Sequence, residues 1–273
     1  MNIIEENYFS KENELKYTGS SQIKALLDCP AREMAILNGE WIEEKTTSQM
    51  VGSYVDASMS GTLDIFKAQN PELFKKDGTL KAEFLQVQRI YERIEKDPMF
   101  KKYISGDHQT IMTFMFDVLN RKWLKYNDKD KVPENCIPIK IKIDSYFPGK
   151  AIVDLKVVKD FEPMWNPKTQ SKENFIDYWN YTLQAALYQK GIEINTNKQL
   201  PFFIAAVTKE KEPDIALLNI PQEVLDEKLV MVEEALPIVY AIKNKEIIVT
   251  RCEHCDYCKA TKVLTSIIDY RDL

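Results

Sequence analysis

Ile139-Lys-Ile-Lys-Ile-Asp144 is the first of two segments from which the fold is predicted. The second is Ile152-Val-Asp154-Leu-Lys156. In both, apolar residues alternate with polar or charged ones, as in β-strands that bury one face. Pro148-Gly149 stands between them and is a turn signal. The stretch therefore predicts a β-hairpin with one strand from Ile137 to Tyr146 and the other from Ala151 to Val158.

The length of the loop decides which residues of this hairpin face one another. A two-residue loop would place Asp144 opposite Val153, and each face would then mix charged with apolar residues. A three-residue loop, Pro148-Gly149-Lys150, gives one continuous apolar face. Its predicted pairs are Ser145–Val153, Ile143–Leu155 and Ile141–Val157 on that face, and Asp144–Asp154 and Lys142–Lys156 on the charged face.

The predicted pair Asp144–Asp154 has a chemical consequence. Two directly opposed carboxylates repel each other unless a cation lies between them. Oxygen ligands with open positions suit Mg²⁺ or Mn²⁺, which lower the pKa of a bound water. Lys156 points to the same face and could hold or deprotonate that water. The residues alone leave open the alternative of an exposed sheet face with interspersed charges.

The remaining sequence predicts helices and further strands around the hairpin. The predicted helices are Gln22–Leu37, interrupted or kinked at Pro30, then Ser48–Phe66, Ala82–Lys96, Glu173–Gly191 and Pro221–Lys245, and the further strands are Thr110–Val118, Phe202–Thr208 and Asp214–Ile220. Their order predicts an α/β (α+β) fold in which helices flank a central sheet. We expect one domain, 1–273, with a helical N-terminal part (1–105), a sheet and functional helix (106–220) and a C-terminal helix with a cysteine cluster (221–273).

Composition and charge are those of an ordinary globular protein. The chain has 273 residues, of which 44% are hydrophobic and 29% charged, and its formal net charge is −5. Between Arg121 and Asp160, however, ten Lys or Arg stand against six Asp or Glu. This basic segment is equally consistent with a solvated sheet edge and with a phosphate track. Since no apolar run is long enough to span a membrane and Met1–Tyr8 is not a leader, we expect a cytoplasmic protein.

The hairpin resembles the PD-(D/E)XK nuclease superfamily, in which a carboxylate on one strand precedes Asp-x-Lys on the next. Gln184 and Tyr188 supply a Q-x-x-x-Y motif on the following predicted helix, which is similar to the RecB-like and lambda-exonuclease-like branch. Residues four apart share one helix face, so this pair could line a cleft. The resemblance implies a restriction-endonuclease-like core with a mixed sheet. It also implies that Asp144 and Asp154 bind metal, and that Gln184 and Tyr188 contact DNA. Lys142, predicted to lie opposite Lys156, is a rival for the lysine role or a contact for a DNA phosphate.

The chain departs from that family at one motif. The family usually carries G-x-x-x-H, with its histidine near the metal, whereas this chain has Gly52-Ser-Tyr-Val-Asp56. Asp56 can still coordinate a hard cation through oxygen, so it is a further candidate metal ligand. The two histidines, His108 and His254, match no motif, and we interpret both as surface or locally hydrogen-bonded residues.

Cysteines form a second candidate site. Cys252, Cys255 and Cys258 make a tight C-x-x-C-x-x-C, and thiolates at such spacings suit either [4Fe-4S] or tetrahedral Zn²⁺. In an iron-sulfur subset of RecB-like nucleases, one N-terminal cysteine joins three near the C-terminus, and Cys29 matches that position. The resemblance therefore implies a [4Fe-4S] cluster, with Zn²⁺ and unliganded thiols as the alternatives. Such a site would act as a structural staple, and Cys136 is interpreted as a small buried residue.

Together these features predict a Mg²⁺- or Mn²⁺-dependent deoxyribonuclease similar to exodeoxyribonuclease VIII. The resemblance implies an exonuclease that acts on linear DNA ends during recombination, in a phage, prophage or bacterial setting. A recombination partner protein and a homo-oligomer are further options that the family offers. The rival hypotheses are a catalytically silent DNA-binding or scaffolding protein of the same fold, a restriction-type endonuclease, and a zinc module for protein contacts whose hairpin is merely structural.

Overall fold

The computed structural model describes residues 3–127, 129–267 and 269–272. The α-helices along these residues are α1 (Lys11–Lys16), α2 (Ser20–Asp28), α3 (Pro30–Asn38), α4 (Thr47–Ser60), α5 (Leu63–Gln69), α6 (Gln86–Glu95), α7 (Pro98–Tyr103), α8 (Phe175–Tyr178), α9 (Tyr181–Thr196), α10 (Gln222–Lys243) and α11 (Asp256–Ala260). Short 3₁₀ helices span Glu5–Asn7, Pro71–Leu73, Ala82–Phe84 and Tyr270–Asp272. The strands are β1 (Asp107–Asp117), β2 (Lys122–Lys125), β3 (Cys136–Phe147), β4 (Ala151–Val158), β5 (Met164–Asn166), β6 (Ser171–Glu173), β7 (Phe202–Thr208) and β8 (Ile215–Asn219).

Six strands form one mixed sheet in the order β2-β1-β3-β4-β7-β8. Only β4 and β7 run parallel in it, and the other neighbours are antiparallel. Parallel neighbours need a crossover connection, which here contains α8 and α9. β5 and β6 form a separate two-stranded hairpin. The crossover matters for function because it carries α9, with the Q-x-x-x-Y motif, across one face of the sheet.

Helices cover both faces of the sheet. On one face α2, α9 and α10 pack against β1 and β3, and Leu187 and Ile141 are fully buried there in what we call the first core. On the other face α4, α6 and α7 pack against β4 and β7 around Ile90 and Val207, in the second core. The predicted α/β fold, a central mixed sheet flanked by helices, is thereby confirmed.

Three predicted helices are broken in the structure. Gln22–Leu37 is divided at Cys29, because Pro30, the first residue of α3, lacks the N–H that would continue α2. The predicted helix Ser48–Phe66 is divided at Gly61 (φ 77°), where α4 ends. The predicted helix Glu173–Gly191 is interrupted at Asn180 (φ 49°). Glycine and asparagine are the residues that adopt this left-handed conformation most readily. Each break therefore has a local cause in the residue that occupies it.

The predicted strands are all present, with ends shifted by up to three residues. The sequence did not predict α1, α7, β2 or the β5–β6 hairpin, and each of these elements is too short to carry a clear periodic pattern. The predicted helix from Ala82 begins with a 3₁₀ turn before α6. Within the described part of the chain, no helix combines the length and apolarity that a membrane span requires.

Candidate active site

A gap between β3 and β4 forms the centre of the site. Ser145 pairs with Val153 as predicted, so the three-residue loop is confirmed, but the pairing of the two strands stops there. The predicted pairs Ile143–Leu155 and Ile141–Val157 are absent from the paired residues of the described strands. Instead the backbone N–H of Leu155 donates to Oδ2 of Asp144 at 2.8 Å. A carboxylate thus replaces a backbone carbonyl and lies in the gap between the strands.

The strand that carries Asp144 also rotates at this point. Asp144 has no partner in the otherwise continuous pairing with β1, where the facing residue, Gln109, has φ 53°. Ile143 packs into the first core, whereas Ser145, two residues later, donates to the carbonyl of Tyr103 in α7 on the opposite face. Side chains two residues apart would share a face in a regular strand, so the chain turns over at Asp144.

This rotation makes the predicted continuous apolar face wrong. The isoleucines of β3 lie in the first core, while Val153, Leu155 and Val157 of β4 belong to the second. The expected pair Lys142–Lys156 is also wrong, because the strands have separated before they reach it. Lys142 lies instead beside the rings of Tyr8 and Phe9, 5.8 and 5.2 Å from their centroids.

Asp154 is held by two donors on the α9 side of the gap. Nζ of Lys156 lies 2.5 Å from Oδ2, and Nε2 of Gln184 donates to Oδ1 at 2.7 Å. Asp154 is only 2% exposed, so both carboxylate oxygens are oriented by charged or polar partners inside the protein. The arrangement fixes the side chain before any ligand binds.

The electrostatics of the gap link Asp144 to Asp154. Burial, then the charge of Asp154, then that of Asp56 raise the pKa of Asp144 well above its usual value. Burial opposes the charge on Lys156, but the Asp154 and Asp144 carboxylates outweigh it and raise the pKa of the ammonium. An excess of carboxylates around one lysine is the environment in which a divalent cation is stabilised.

Asp56 and Asp144 line the same small cavity, together with His108. Oδ1 of Asp56 accepts a hydrogen bond from Gln109 at 3.2 Å, and burial raises the pKa of its carboxyl against the opposing effect of nearby Lys142. Within the described residues, Asp56, Asp144 and Asp154 do not converge as tightly as the cysteine site does. His108 is exposed and its Nδ1 lies 3.1 Å from the carbonyl oxygen of Asp144, as expected for a locally hydrogen-bonded residue.

The two residues of the Q-x-x-x-Y motif differ in their surroundings. Gln184 is half-buried and bound to Asp154, whereas Tyr188 is 7% exposed and packs against Phe202 with ring centroids 6.4 Å apart. Burial raises the pKa of the Tyr188 hydroxyl most, and the nearby side chain of Gln184 opposes this effect. Tyr188 is therefore buried next to Gln184, and its predicted contact with DNA stays a prediction.

Three residues near the site were not among the predicted site residues. Tyr181, the first residue of α9, lies with its ring centroid 4.7 Å from Nζ of Lys156 and 5.5 Å from Nζ of Lys24. Tyr8 is buried, and burial, Glu14 and Asp144 raise the pKa of its hydroxyl. Tyr181 shares the helical stripe of Gln184 and Tyr188, which is a usable signal. Tyr8 and Lys24 come from distant segments that carry no motif.

The four candidate cysteines lie together at the start of α3 and around α11. Sγ of Cys29 is 3.6 Å from that of Cys258 and 3.8 Å from that of Cys255, and Cys252 lies 3.9 Å from Cys258. All four sulfurs lie within 4.8 Å of one another. Although burial opposes it, hydrogen bonds from the backbones of His254 and Cys255 lower the pKa of Cys252 to about 6. Cys136 is buried elsewhere, at the start of β3.

Comparison with known proteins agrees with the observed fold. The model of DUF3799, described as a PDDEXK-like domain of unknown function, matches residues 19–126 and 133–261. The chain belongs to the DUF3799 family. The matched segments include the hairpin with Asp144, Asp154 and Lys156, the Q-x-x-x-Y helix and all four clustered cysteines, so this DUF3799 protein keeps its two candidate sites inside the family domain. A search of curated proteins gives no significant match.

Among solved structures, a crystal structure from Eubacterium rectale named "Putative exonuclease" is similar to this DUF3799 protein along its whole length. The two share 40% sequence identity with a TM-score of 0.87, covering 100% of this chain and 98% of that one. A structure of SSO0001 aligns at 12% identity with a TM-score of 0.26, covering 82% of this chain and 86% of that one, and carries no weight.

Proposed function

We propose that this protein is a Mg²⁺- or Mn²⁺-dependent deoxyribonuclease that degrades linear DNA from its ends. The observation that carries the proposal is the meeting of Asp144, Asp154 and Lys156 at the gap between β3 and β4. Membership of a PDDEXK-like family and likeness to a protein named as an exonuclease support it. By the RecB-like resemblance, the biological task is the preparation of DNA ends for recombination.

The donor set of the gap fits a hard divalent cation. Asp144 and Asp154 offer buried carboxylate oxygens that repel one another, and Asp56 lies close enough to raise the pKa of Asp144 further. Bound there, Mg²⁺ or Mn²⁺ would supply Lewis acidity and a water of lowered pKa. The protein's own part is to orient Asp154 through Gln184, and to keep Lys156 charged beside the position of the attacking water. Lys142 is a candidate for a DNA phosphate contact beside Asp56.

The cysteine site is proposed to be structural and to hold one metal ion. Tetrahedral Zn²⁺ with Zn–S bonds of about 2.3 Å separates its sulfurs by about 3.8 Å. Three of the six sulfur–sulfur separations, 3.6, 3.8 and 3.9 Å, support this size of site, and all six lie within 4.8 Å. A [4Fe-4S] cluster, which the family resemblance implies, binds each thiolate to a different iron and needs more widely spaced sulfurs. We therefore favour Zn²⁺ over [4Fe-4S].

The nuclease proposal is tested with linear and covalently closed circular DNA, each with Mg²⁺, with Mn²⁺ and with EDTA. We expect only linear DNA to be degraded, and only with a metal ion. Asp154→Asn should lower the rate about 1,000-fold or more, since several kcal/mol of transition-state stabilisation depend on the metal. The matched control is Asp64→Asn, whose side chain is fully exposed at the start of α5.

Each other outcome contradicts a defined part of the proposal. Equal cleavage of circular DNA would identify an endonuclease. DNA binding without cleavage by wild-type protein in either metal would favour the catalytically silent alternative. Equal loss of activity in Asp64→Asn and Asp154→Asn would remove Asp154 from the mechanism.

A further inference from the structure

Lys24 of α2 lies next to the candidate active site without belonging to any recognised motif. Its Nζ is 5.5 Å from the ring centroid of Tyr181, and Nζ of Lys156 lies 4.7 Å from the same centroid. Because both distances are measured to the same point, the Nζ atoms of Lys24 and Lys156 are no farther apart than the sum of the two. A second lysine therefore faces the region in which Lys156 and Asp154 act.

The fold holds α2 firmly in this position. Ile23 and Leu26, on either side of Lys24, are 0% and 1% exposed and lie in the first core, against which α9 and α10 also pack. The Nζ of Lys24 donates to the carbonyl oxygen of Trp179, just before α9, at 3.2 Å. The residue that follows α2 is Cys29, one of the four clustered cysteines. Lys24 is thus fixed by packing on one side and by the cysteine site at the end of its helix.

The charge of Lys24 is not balanced by a carboxylate, and unlike Lys243, which has four oxygen acceptors, Lys24 has one among the described residues. Lys140, Lys156 and Lys190 each lie within 3 Å of a carboxylate oxygen. Among the described residues no carboxylate comes within 4.0 Å of Lys24, which has only a carbonyl and an aromatic ring as partners. Burial, and then repulsion from Lys156, lower the pKa of its ammonium to about 8, against the weaker attraction of Asp154. A half-buried ammonium of this kind is stabilised when an anion binds to it.

We propose that Lys24 binds a backbone phosphate of the DNA strand that occupies the Asp144–Asp154 site. The proposal rests on the proposed nuclease function and names a phosphate-positioning residue for it. A phosphate is the anion that a DNA strand brings beside the reacting bond, and lysine is a common ligand for it. Lys156 is already paired with Asp154, whereas Lys24 has no competing carboxylate partner among the described residues.

The test measures DNA binding with cleavage switched off. In an Asp154→Asn background, the dissociation constant for a fluorescein-labelled linear duplex is measured over a series of salt concentrations. Loss of one phosphate contact reduces the slope of log K against log salt by about 0.7 to 0.9. We expect this reduction for Lys24→Met and a slope close to that of the parent for Lys24→Arg.

The matched control is Lys190→Met. Lys190 is a half-buried lysine on α9 that pairs with Glu193 three residues away, and its loss removes the same charge without touching the site. Its slope should equal that of the parent. Lys24→Gln is a second variant if Lys24→Met does not fold, as judged by circular dichroism. In the active background, Lys24→Met should lower kcat/KM by about 10- to 100-fold, the loss expected for one charge-assisted hydrogen bond.

The outcomes separate this inference from the proposed function. If wild-type protein degrades linear DNA but Lys24→Met keeps the parental salt slope and kcat/KM, the inference about Lys24 is overturned and the nuclease proposal stands. If wild-type protein neither cleaves DNA nor binds it in a salt-dependent way, the proposed function fails and the inference fails with it. An equal loss of slope in Lys190→Met would identify a general charge effect and would also overturn the inference.

Discussion

Ionising Asp144 costs more free energy in the folded, metal-free protein than in the unfolded chain, because burial, Asp154 and Asp56 all raise its pKa. Between the usual pKa of about 4 and the raised native value, the folded state binds more protons than the unfolded state. The free energy of unfolding therefore falls as pH rises through this window. If the proposed function holds, this loss of stability accompanies a site built to bind a cation, a trade-off that is common at functional sites.

Asp144→Asn should consequently raise the Tm of the metal-free protein at pH 7. Asparagine keeps an oxygen that can accept from the N–H of Leu155, but it carries no charge. The gain should shrink as pH falls toward about 4 and vanish below it, where Asp144 is protonated in both states. Mg²⁺ should raise the Tm of wild-type protein more than that of the variant. Thermal melts with EDTA and with Mg²⁺ measure both effects, and a lower Tm for the variant at pH 7 would contradict this account.

Tyr188→Phe separates support of Gln184 from contact with DNA. The variant keeps the ring that packs against Phe202 and loses only the hydroxyl that interacts with Gln184. We expect kcat to fall about tenfold, the effect of one net hydrogen bond, with Tm and KM nearly unchanged. Tyr240→Phe on α10 is the control. A rise in KM at constant kcat would instead indicate that Tyr188 contacts the substrate.

Among the elements, α9 lies close enough to the sheet to require a glycine. A Cβ atom at Gly191 would lie 2.6 Å from Cε1 of Phe114 and 2.7 Å from Cδ1 of Ile141. Both neighbours are fully buried in the first core and cannot move freely. The close approach fixes the distance between α9 and β3, and with it the reach of Gln184 to Asp154.

Gly191→Ala should therefore destabilise the protein by about 1–3 kcal/mol through overpacking. Gly52→Ala is a control of opposite sign, because a Cβ at Gly52 in α4 meets nothing within 4 Å. That substitution should stabilise by about 0.5–1 kcal/mol, since alanine loses less entropy than glycine in a helix. Urea unfolding gives both values. Equal effects at the two positions would show that helix propensity, and not the contact with the sheet, decides them.

The sequence predicted the elements of the site better than their geometry. The Ser145–Val153 register was predicted correctly from the alternation of apolar residues, although the continuous apolar face on which that prediction rested does not form. The gap after it was not predicted, because a side-chain carboxylate, Asp144, takes the N–H that a regular hairpin would pair. Lys24 was also out of reach of the sequence, since the packing of α2 against α9 alone brings it to Tyr181.

At the scale of the whole molecule, the cysteine site joins the N-terminal helices to the C-terminal segment. Cys29 follows α2 directly, while Cys252, Cys255 and Cys258 lie after α10. A metal ion bound by all four thiolates, as proposed, would restrain distant parts of the chain and fix the end of the helix that carries Lys24. The site is therefore linked to the candidate active site through α2, and both stability and DNA binding should depend on it.

Cys29→Ser should release the metal ion and lower Tm by about 5 °C or more, which corresponds to roughly 2 kcal/mol in a protein of this size. Elemental analysis should find zinc in wild-type protein, and Cys136→Ser, in which a buried cysteine outside the site is changed, should retain it. Brown protein that contains iron would contradict the zinc assignment. If the link through α2 holds, Cys29→Ser should reduce the slope of log K against log salt for DNA binding. Lys24→Met should then lower this slope by less in the Cys29→Ser background than it does in the wild-type background. Fully additive effects would mean that the cysteine site stabilises the fold without positioning Lys24.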